Sequence, residues 1–202
     1  MPQYIIMGDS NLFHQDPEYQ TWPWRFFYSQ DCTASYIAQC LDCVYYPFPL
    51  LRMSLQWDNT MRLDSLLRSL TAHAETHLIL WIGQNDTLAS SGSPHAAAQT
   101  DTYRRNLISL TNKFIDKLLQ IHAFSCIYLI GYHDHPSLTS NILYMTFNDV
   151  VIDTLQQGLP QVRMINMIDT TESMYIDGTH LTRHYQWQVA QHIAAQMQAD
   201  LP

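Results

Sequence analysis

The sequence predicts an α/β fold, a three-layer α/β/α sandwich with about five parallel strands. Short runs rich in β-branched and aromatic residues alternate with longer stretches of helical period, and no repeat or linker interrupts them. Most of the short runs are apolar throughout, which is typical of strands covered on both faces. Such an alternation joins parallel strands by right-handed crossovers.

The strand and helix predictions follow the chain in order. Strands are predicted at residues 3–7, 43–48, 78–82, 126–132 and 162–166. Helices are predicted near residues 22–41, 58–74, 101–121, 139–157 and 182–199. In the third helix, apolar side chains recur at spacings of three and four and form one face. That face consists of Leu107, Leu110, Phe114, Ile115, Leu118 and Ile121.

Composition limits the class of protein. Residues 1–202 are expected to form one domain that buries its core without metal or disulfide support. Hydrophobic residues make up 47% of the chain and charged residues 14%, as in globular proteins. The net charge of −8 argues against a nucleic-acid partner, because counterion release needs clustered Lys and Arg. The oligomeric state is not readable from the sequence.

The start of the chain, Met-Pro-Gln-Tyr-Ile-Ile-Met, lacks the charged and long apolar regions of a signal peptide. No run of about 18 apolar residues suggests a transmembrane segment. We therefore expect a cytoplasmic protein.

The four cysteines could suggest a metal or redox site. Cys40 and Cys43 have the two-residue gap of such a pair, but the pair would need further ligands close by. We expect Cys32, Cys40, Cys43 and Cys126 to be small apolar residues instead, because free cysteine is commonly buried. No metal or cofactor is predicted.

Three short segments carry the chemistry. Gly8-Asp9-Ser10 follows the first predicted strand, Gly83-Gln84-Asn85-Asp86 follows the third, and Asp177-Gly178-Thr179-His180 lies near the C-terminus. Because parallel strands end at one edge of a sheet, the fold could bring these distant residues together there.

Ser10 is the predicted nucleophile. Gly8 permits a tight turn and close approach of the backbone just before it. A serine hydroxyl needs a base to take its proton, and His180 is the best candidate among ten histidines. Asp177, three residues earlier, can reach the imidazole Nδ1 and fix its tautomer. Thr182 could then cap the final helix.

Asn85 is the predicted oxyanion donor, because its side-chain amide can act alongside the backbone N–H of Ser10. Gly83, before it, leaves room for substrate. Each segment alone could be an ordinary turn or helix cap. If all three segments were ordinary turns or caps, their places after the proper strands would require a coincidence at three independent places.

Together these residues resemble the SGNH (GDSL) hydrolase superfamily, over residues 3 to about 195. Gly8-Asp9-Ser10, Gly83-Gln84-Asn85-Asp86 and Asp177-Gly178-Thr179-His180-Leu181 match its blocks in order. The resemblance implies a flavodoxin-like sandwich without metal. It also implies hydrolysis of a small-molecule ester or thioester through an acyl-enzyme, with Ser10, Asp177 and His180 as the triad. Carboxylesterase, thioesterase and carbohydrate O-deacetylase activities all remain open.

One block departs from the family. The family places a glycine after strand two as a second oxyanion donor, yet none of the six glycines lies between Gly8 and Gly83. By its position in the sequence, Ser54 takes the place of that glycine. Its backbone N–H survives the exchange, but a Cβ restricts φ and narrows the pocket. The alternative function is therefore a non-hydrolytic binding module or an acyltransferase that keeps the fold.

Residues beside these motifs are candidate pocket residues. Asp9 is predicted as a site-supporting hydrogen-bond acceptor. Phe13 and His14 either pack the first helix or line an acyl or aryl pocket. His133 is predicted to form a pocket wall, since no third ligand marks a metal site beside it. The remaining histidines lack catalytic context and are predicted at the surface or at helix ends: His73, His77, His95, His122, His184 and His192.

Overall fold

The computed structural model describes residues 2–8, 10–13, 32–49, 68, 75–81, 100–131, 148, 149, 159–175 and 180–200. These ranges contain five strands and four helices with defined bounds. The strands are β1 (Gln3–Gly8), β2 (Tyr45–Pro49), β3 (Thr76–Trp81), β4 (Cys126–Ile130) and β5 (Val162–Ile165). The helices are α1 (Ser10–Phe13), α2 (Thr33–Cys40), α3 (Thr100–Ile121) and α4 (Arg183–Ala199). A single 3-10 turn, Glu172–Met174, precedes α4.

The five strands form one parallel sheet in the order β2-β1-β3-β4-β5. This is the strand order of flavodoxin-like folds, in which the order reverses beside β1. The predicted fold class, a three-layer α/β/α sandwich around about five parallel strands, is confirmed.

The start of β2 differs from its prediction at residue 43. Cys43 is engaged in closing α2, because its N–H donates to the carbonyl of Ala38 at 3.1 Å. Asp42 has a positive φ of 47°, and its N–H donates to the carbonyl of Gln39 at 3.2 Å. These two bonds around a left-handed residue form a Schellman motif, which satisfies the last carbonyls of the helix. The strand therefore begins only at Tyr45.

The helix predicted near 22–41 is observed as α2, but it begins only at Thr33, because Cys32 is an N-cap with extended backbone. The other helix predictions are confirmed where the structure describes them. The helix predicted at 101–121 is α3, and its predicted apolar face buries Phe114, Ile115 and Leu118. The helix predicted at 182–199 is α4. In the helices predicted at 58–74 and 139–157, the structure describes only residues 68, 148 and 149, and these three are helical. The side chains of Leu107 and Ile121 lie outside the described part of the chain.

The core lies on both faces of the sheet, as the continuously apolar strands predict. All six residues of β3 are buried, and Leu78, Ile79 and Leu80 have no exposed surface. None of the helices in the described ranges is long and apolar enough to cross a membrane.

Candidate active site

Two of the three motif segments leave the sheet side by side. In the register of β1 with β3, Gly8 pairs with Trp81, and these are the last residues of the two strands. Ser10 comes two residues after Gly8, and α1 begins at Ser10. Asn85 comes four residues after Trp81 in the sequence. The Gly8-Asp9-Ser10 segment and the chain that leads to Asn85 therefore follow paired positions at the carboxyl edge.

Gly8 lies in close contact with the neighbouring strand. A Cβ built on Gly8 would stand 2.5 Å from the carbonyl oxygen of Trp81 and 2.6 Å from Cδ1 of Leu12. No real Cβ tolerates such distances, and the carbonyl belongs to the backbone and cannot rotate away. The close approach predicted at Gly8 is confirmed, because the backbone of β3 and the Leu12 side chain of α1 both occupy the space that a Cβ would need.

The backbone positions on either side of the third motif are paired with each other. Tyr175 and Leu181 form an isolated antiparallel bridge, so residues 176–180 connect two backbone positions that are bonded to each other. The N–H of Thr182 donates to the carbonyl of Met174 at 2.9 Å. His180 is half-buried just before the bridge. This short connection contains both Asp177 and His180.

Buried polar side chains support this connection from both sides. Gln186, which is only 1% exposed, donates from Nε2 to the carbonyl of Leu181 at 3.0 Å. The hydroxyls of Tyr175 and Thr170 lie 3.0 Å apart in a hydrogen bond. Thr182 occupies the N-cap position of α4, but its side chain makes no capping hydrogen bond. The helix therefore begins where predicted, without the predicted side-chain cap.

The helix after His180 and the helix that begins at Ser10 share a neighbour. Both α4 and α1 pack on α2. At the start of α4, Nε of Arg183 donates to the hydroxyl of Tyr36 at 3.1 Å. Trp187 meets the Tyr36 ring edge-on, with ring centroids 5.1 Å apart. The helix that begins at Ser10 and the helix that follows His180 are thus attached to one neighbouring helix, α2.

Other predicted site residues lie outside the described residues: Asp9, His14, Ser54, Gly83, Asn85, His133 and Asp177. Their roles stay predictions. Phe13 is described, and it is 4% exposed within the hydrophobic core beside Leu12. Its packing is therefore observed, and its role in lining a pocket stays a prediction.

The cysteines are free thiols. Burial, with a smaller effect of the Asp42 carboxylate, raises the pKa of the Cys43 thiol to about 11. Burial also raises the pKa of Cys40 and of Cys126. Thiols with raised pKa are weak nucleophiles at neutral pH, because the thiolate is the reactive form. Among the described residues, no group of three His, Cys, Asp or Glu side chains could hold a metal ion.

His77 corrects one prediction. It is not a surface histidine but a buried residue of β3, 4% exposed. Its ring stacks on Tyr4 at 5.2 Å, and Nε2 lies 3.6 Å from the Glu75 carboxylate. Burial lowers the pKa of His77, and Glu75 only partly opposes this effect. Because His77 lies near the amino end of β3, it stands at the edge of the sheet opposite to Gly8 and Trp81.

Sequence reasoning also missed Gln186. Its spacing from Val189, Ala190 and Ile193 places it on the buried face of α4. A polar residue at a core position of an amphipathic helix was the available signal.

No protein-family model and no curated protein matches the sequence. Solved structures match it over its whole length. A carbohydrate acetylesterase from Sinorhizobium meliloti is 13% identical with a TM-score of 0.68, and the match covers 100% of both chains. An aryl esterase from M. smegmatis is 15% identical with a TM-score of 0.66 and the same coverage. A member of the lipolytic protein G-D-S-L family from Veillonella parvula is 12% identical with a TM-score of 0.62, again over 100% of both chains. At these identities the likeness shows the fold.

Proposed function

We propose, from the premise that this chain has the fold of the SGNH (GDSL) hydrolases, that it is a serine esterase. Ser10 is its nucleophile, His180 its base, and Asp177 the carboxylate that orients the base. The observation that carries the proposal is the pairing of Gly8 with Trp81. In that register, Gly-Asp-Ser and Gly-x-Asn-Asp leave the carboxyl edge from adjacent strands, where ligands of open α/β sheets bind.

The reaction proceeds in two halves. In the first, Ser10 Oγ attacks the ester carbonyl while His180 takes the hydroxyl proton. His180 returns that proton to the leaving alcohol, and the acyl group stays on Ser10. In the second, His180 takes a proton from water, which attacks the acyl carbonyl. His180 then returns that proton to Ser10 Oγ as the bond between Ser10 and the acyl group breaks, which releases the carboxylic acid and restores free Ser10. Asp177 holds the imidazole tautomer and stabilises the imidazolium in both halves.

The oxyanion is stabilised by three proposed donors: the backbone N–H of Ser10, the side-chain amide of Asn85 and the backbone N–H of Ser54. Each would have to lie about 2.7 to 3.1 Å from the oxyanion. The position of Ser10 suits this role, because it is the first residue of α1. The N–H groups in the first turn of a helix are not used by the helix itself.

Esters of small acids are the proposed substrate class. Structural neighbours include a carbohydrate acetylesterase and an aryl esterase, so acetyl esters of sugars and of aryl alcohols are the first candidates. Fold alone does not decide between them, because specificity lies in loops placed on the fold.

The test is hydrolysis of p-nitrophenyl acetate by wild type, Ser10→Ala and Ser125→Ala. Ser10→Ala should lower kcat at least about 10³-fold, since it removes the nucleophile. Ser125→Ala is the matched control, because Ser125 is exposed at the start of β4. It should retain wild-type turnover. Full turnover by Ser10→Ala would refute the proposal.

A further inference from the structure

The peptide group between Leu181 and Thr182 is held at both of its polar atoms. Its N–H, on Thr182, donates to the carbonyl of Met174 at 2.9 Å. Its carbonyl, on Leu181, accepts from Nε2 of Gln186 at 3.0 Å. Met174 belongs to the 3-10 turn and Gln186 to α4. Because a peptide group is planar, these two bonds fix its plane relative to both elements.

His180 directly precedes Leu181, which supplies the carbonyl of this peptide group. Two backbone torsions, φ and ψ of Leu181, separate the fixed plane from the Cα of His180, and ψ of His180 then orients its side chain. The antiparallel bridge between Leu181 and Tyr175, which includes the Thr182 bond, limits the torsions of Leu181. The Leu181–Thr182 peptide therefore restricts the backbone from which the His180 side chain leaves.

Gln186 lies on the buried face of α4, where the neighbouring side chains are apolar. Val189, Ala190 and Ile193 share its buried face and have no exposed surface. Burying an amide costs free energy unless the amide is hydrogen-bonded. An apolar side chain would fill this position without that cost, so polar contacts, the bond to Leu181 among them, are what a glutamine adds here.

We propose that Gln186 is a positioning residue for the triad, acting through the carbonyl of Leu181 to hold His180 in one orientation toward Ser10. The inference rests on the proposed function. A general base must stand within about 2.6 to 3.2 Å of the proton that it takes. Loss of the Gln186 bond loosens the backbone beside His180 and lengthens that contact. Substrate binding is affected little, since Gln186 is only 1% exposed and lies in the core.

Gln186→Met tests the proposal, because Met has a similar length but no N–H donor. The kcat for p-nitrophenyl acetate should fall about 10- to 100-fold, as expected for a displacement near 1 Å, with KM unchanged. Gln186→Leu gives the same test should the Met variant not fold. Gln196→Met is the matched control: it removes a bond from the same helix to the carbonyl of Asn166, ten residues further along. It should lower stability without the fall in kcat.

A second background separates positioning from general stability. In His180→Ala, Gln186→Met should leave the residual turnover unchanged, because Gln186 acts only through His180. A merely structural role would lower the rate by the same factor in both backgrounds.

The outcomes distinguish the two proposals. A wild type without Ser10-dependent turnover overturns the proposed function and the positioning role with it. A wild type with Ser10-dependent turnover whose Gln186→Met variant keeps its kcat overturns the positioning role alone. Equal falls of turnover in the wild-type and His180→Ala backgrounds also overturn the positioning role alone.

Discussion

Gly8 is the residue at which the sheet and the proposed site meet. It ends β1, pairs with Trp81, and stands two residues before Ser10. The space for its missing side chain is taken by the carbonyl of Trp81 and by the Leu12 side chain. The close contact between β1 and β3 at the carboxyl edge therefore depends on glycine.

Gly8→Ala should be destabilising, and more so than the same change at Gly131. At Gly8 the obstacle is backbone, 2.5 Å away, so a strand must move, at a cost of about 1 to 3 kcal/mol or more. At Gly131 the nearest atom, 2.9 Å away, is Cε of Met164, the mobile end of a flexible side chain. Urea unfolding of both variants measures the difference. Equal losses of unfolding free energy would show that the contact at Gly8 is not rigid.

Two of the three blocks stand directly after an apolar run that ends sharply, and this pattern predicts that Ser10 and Asn85 lie at one edge of the sheet. Gln186 has a weaker signal, namely its spacing from the apolar residues of α4. A glutamine in an amphipathic helix is more often exposed to solvent, and the packing of α4 on α2 shows that this one is buried.

At the scale of elements, β3 combines the carboxyl-edge contact at Trp81 with a buried histidine near its amino end. His77 lies between Tyr4 and Tyr128, with ring centroids at 5.2 and 6.1 Å. Its buried Nδ1 has no hydrogen-bond partner among the residues that the structure describes. Protonation would place a charge in this environment, and burial lowers the pKa of His77 accordingly.

Wild type should lose stability in acid more steeply than His77→Phe. The unfolded chain protonates His77 near pH 6.5, before the folded protein does, because the folded pKa is lowered. The contribution of neutral His77 is therefore complete above about pH 6.5 and declines as the pH falls below that value. Phe keeps a ring against Tyr4 but does not titrate. Urea unfolding at several pH values measures both slopes, and parallel slopes would contradict this account.

The boundaries of elements were the least predictable features. The run from Cys43 to Phe48 has strand composition throughout, so sequence places a strand over all of it. Its first two residues, Cys43 and Val44, instead precede the strand. The N–H of Cys43 takes part in the Schellman motif that ends α2. Backbone hydrogen bonding decided this boundary, and composition carries no signal for it.

At the scale of the molecule, the alternation of apolar strands and helices was enough to predict a parallel sheet with helices on both faces. The order of the strands was not contained in that alternation, because it depends on which edge each crossover joins. The resemblance of the three motifs to SGNH hydrolases implied the observed flavodoxin-like order.

The central claim is that the edge at Gly8 and Trp81 presents Ser10 as an activated nucleophile. A fluorophosphonate, which reacts with activated serines, tests it most directly. Incubation followed by peptide mass spectrometry should find a single adduct, on Ser10, that is absent from Ser10→Ala and abolished by His180→Ala. An adduct on another serine, or none on a protein that hydrolyses p-nitrophenyl acetate, would contradict the account.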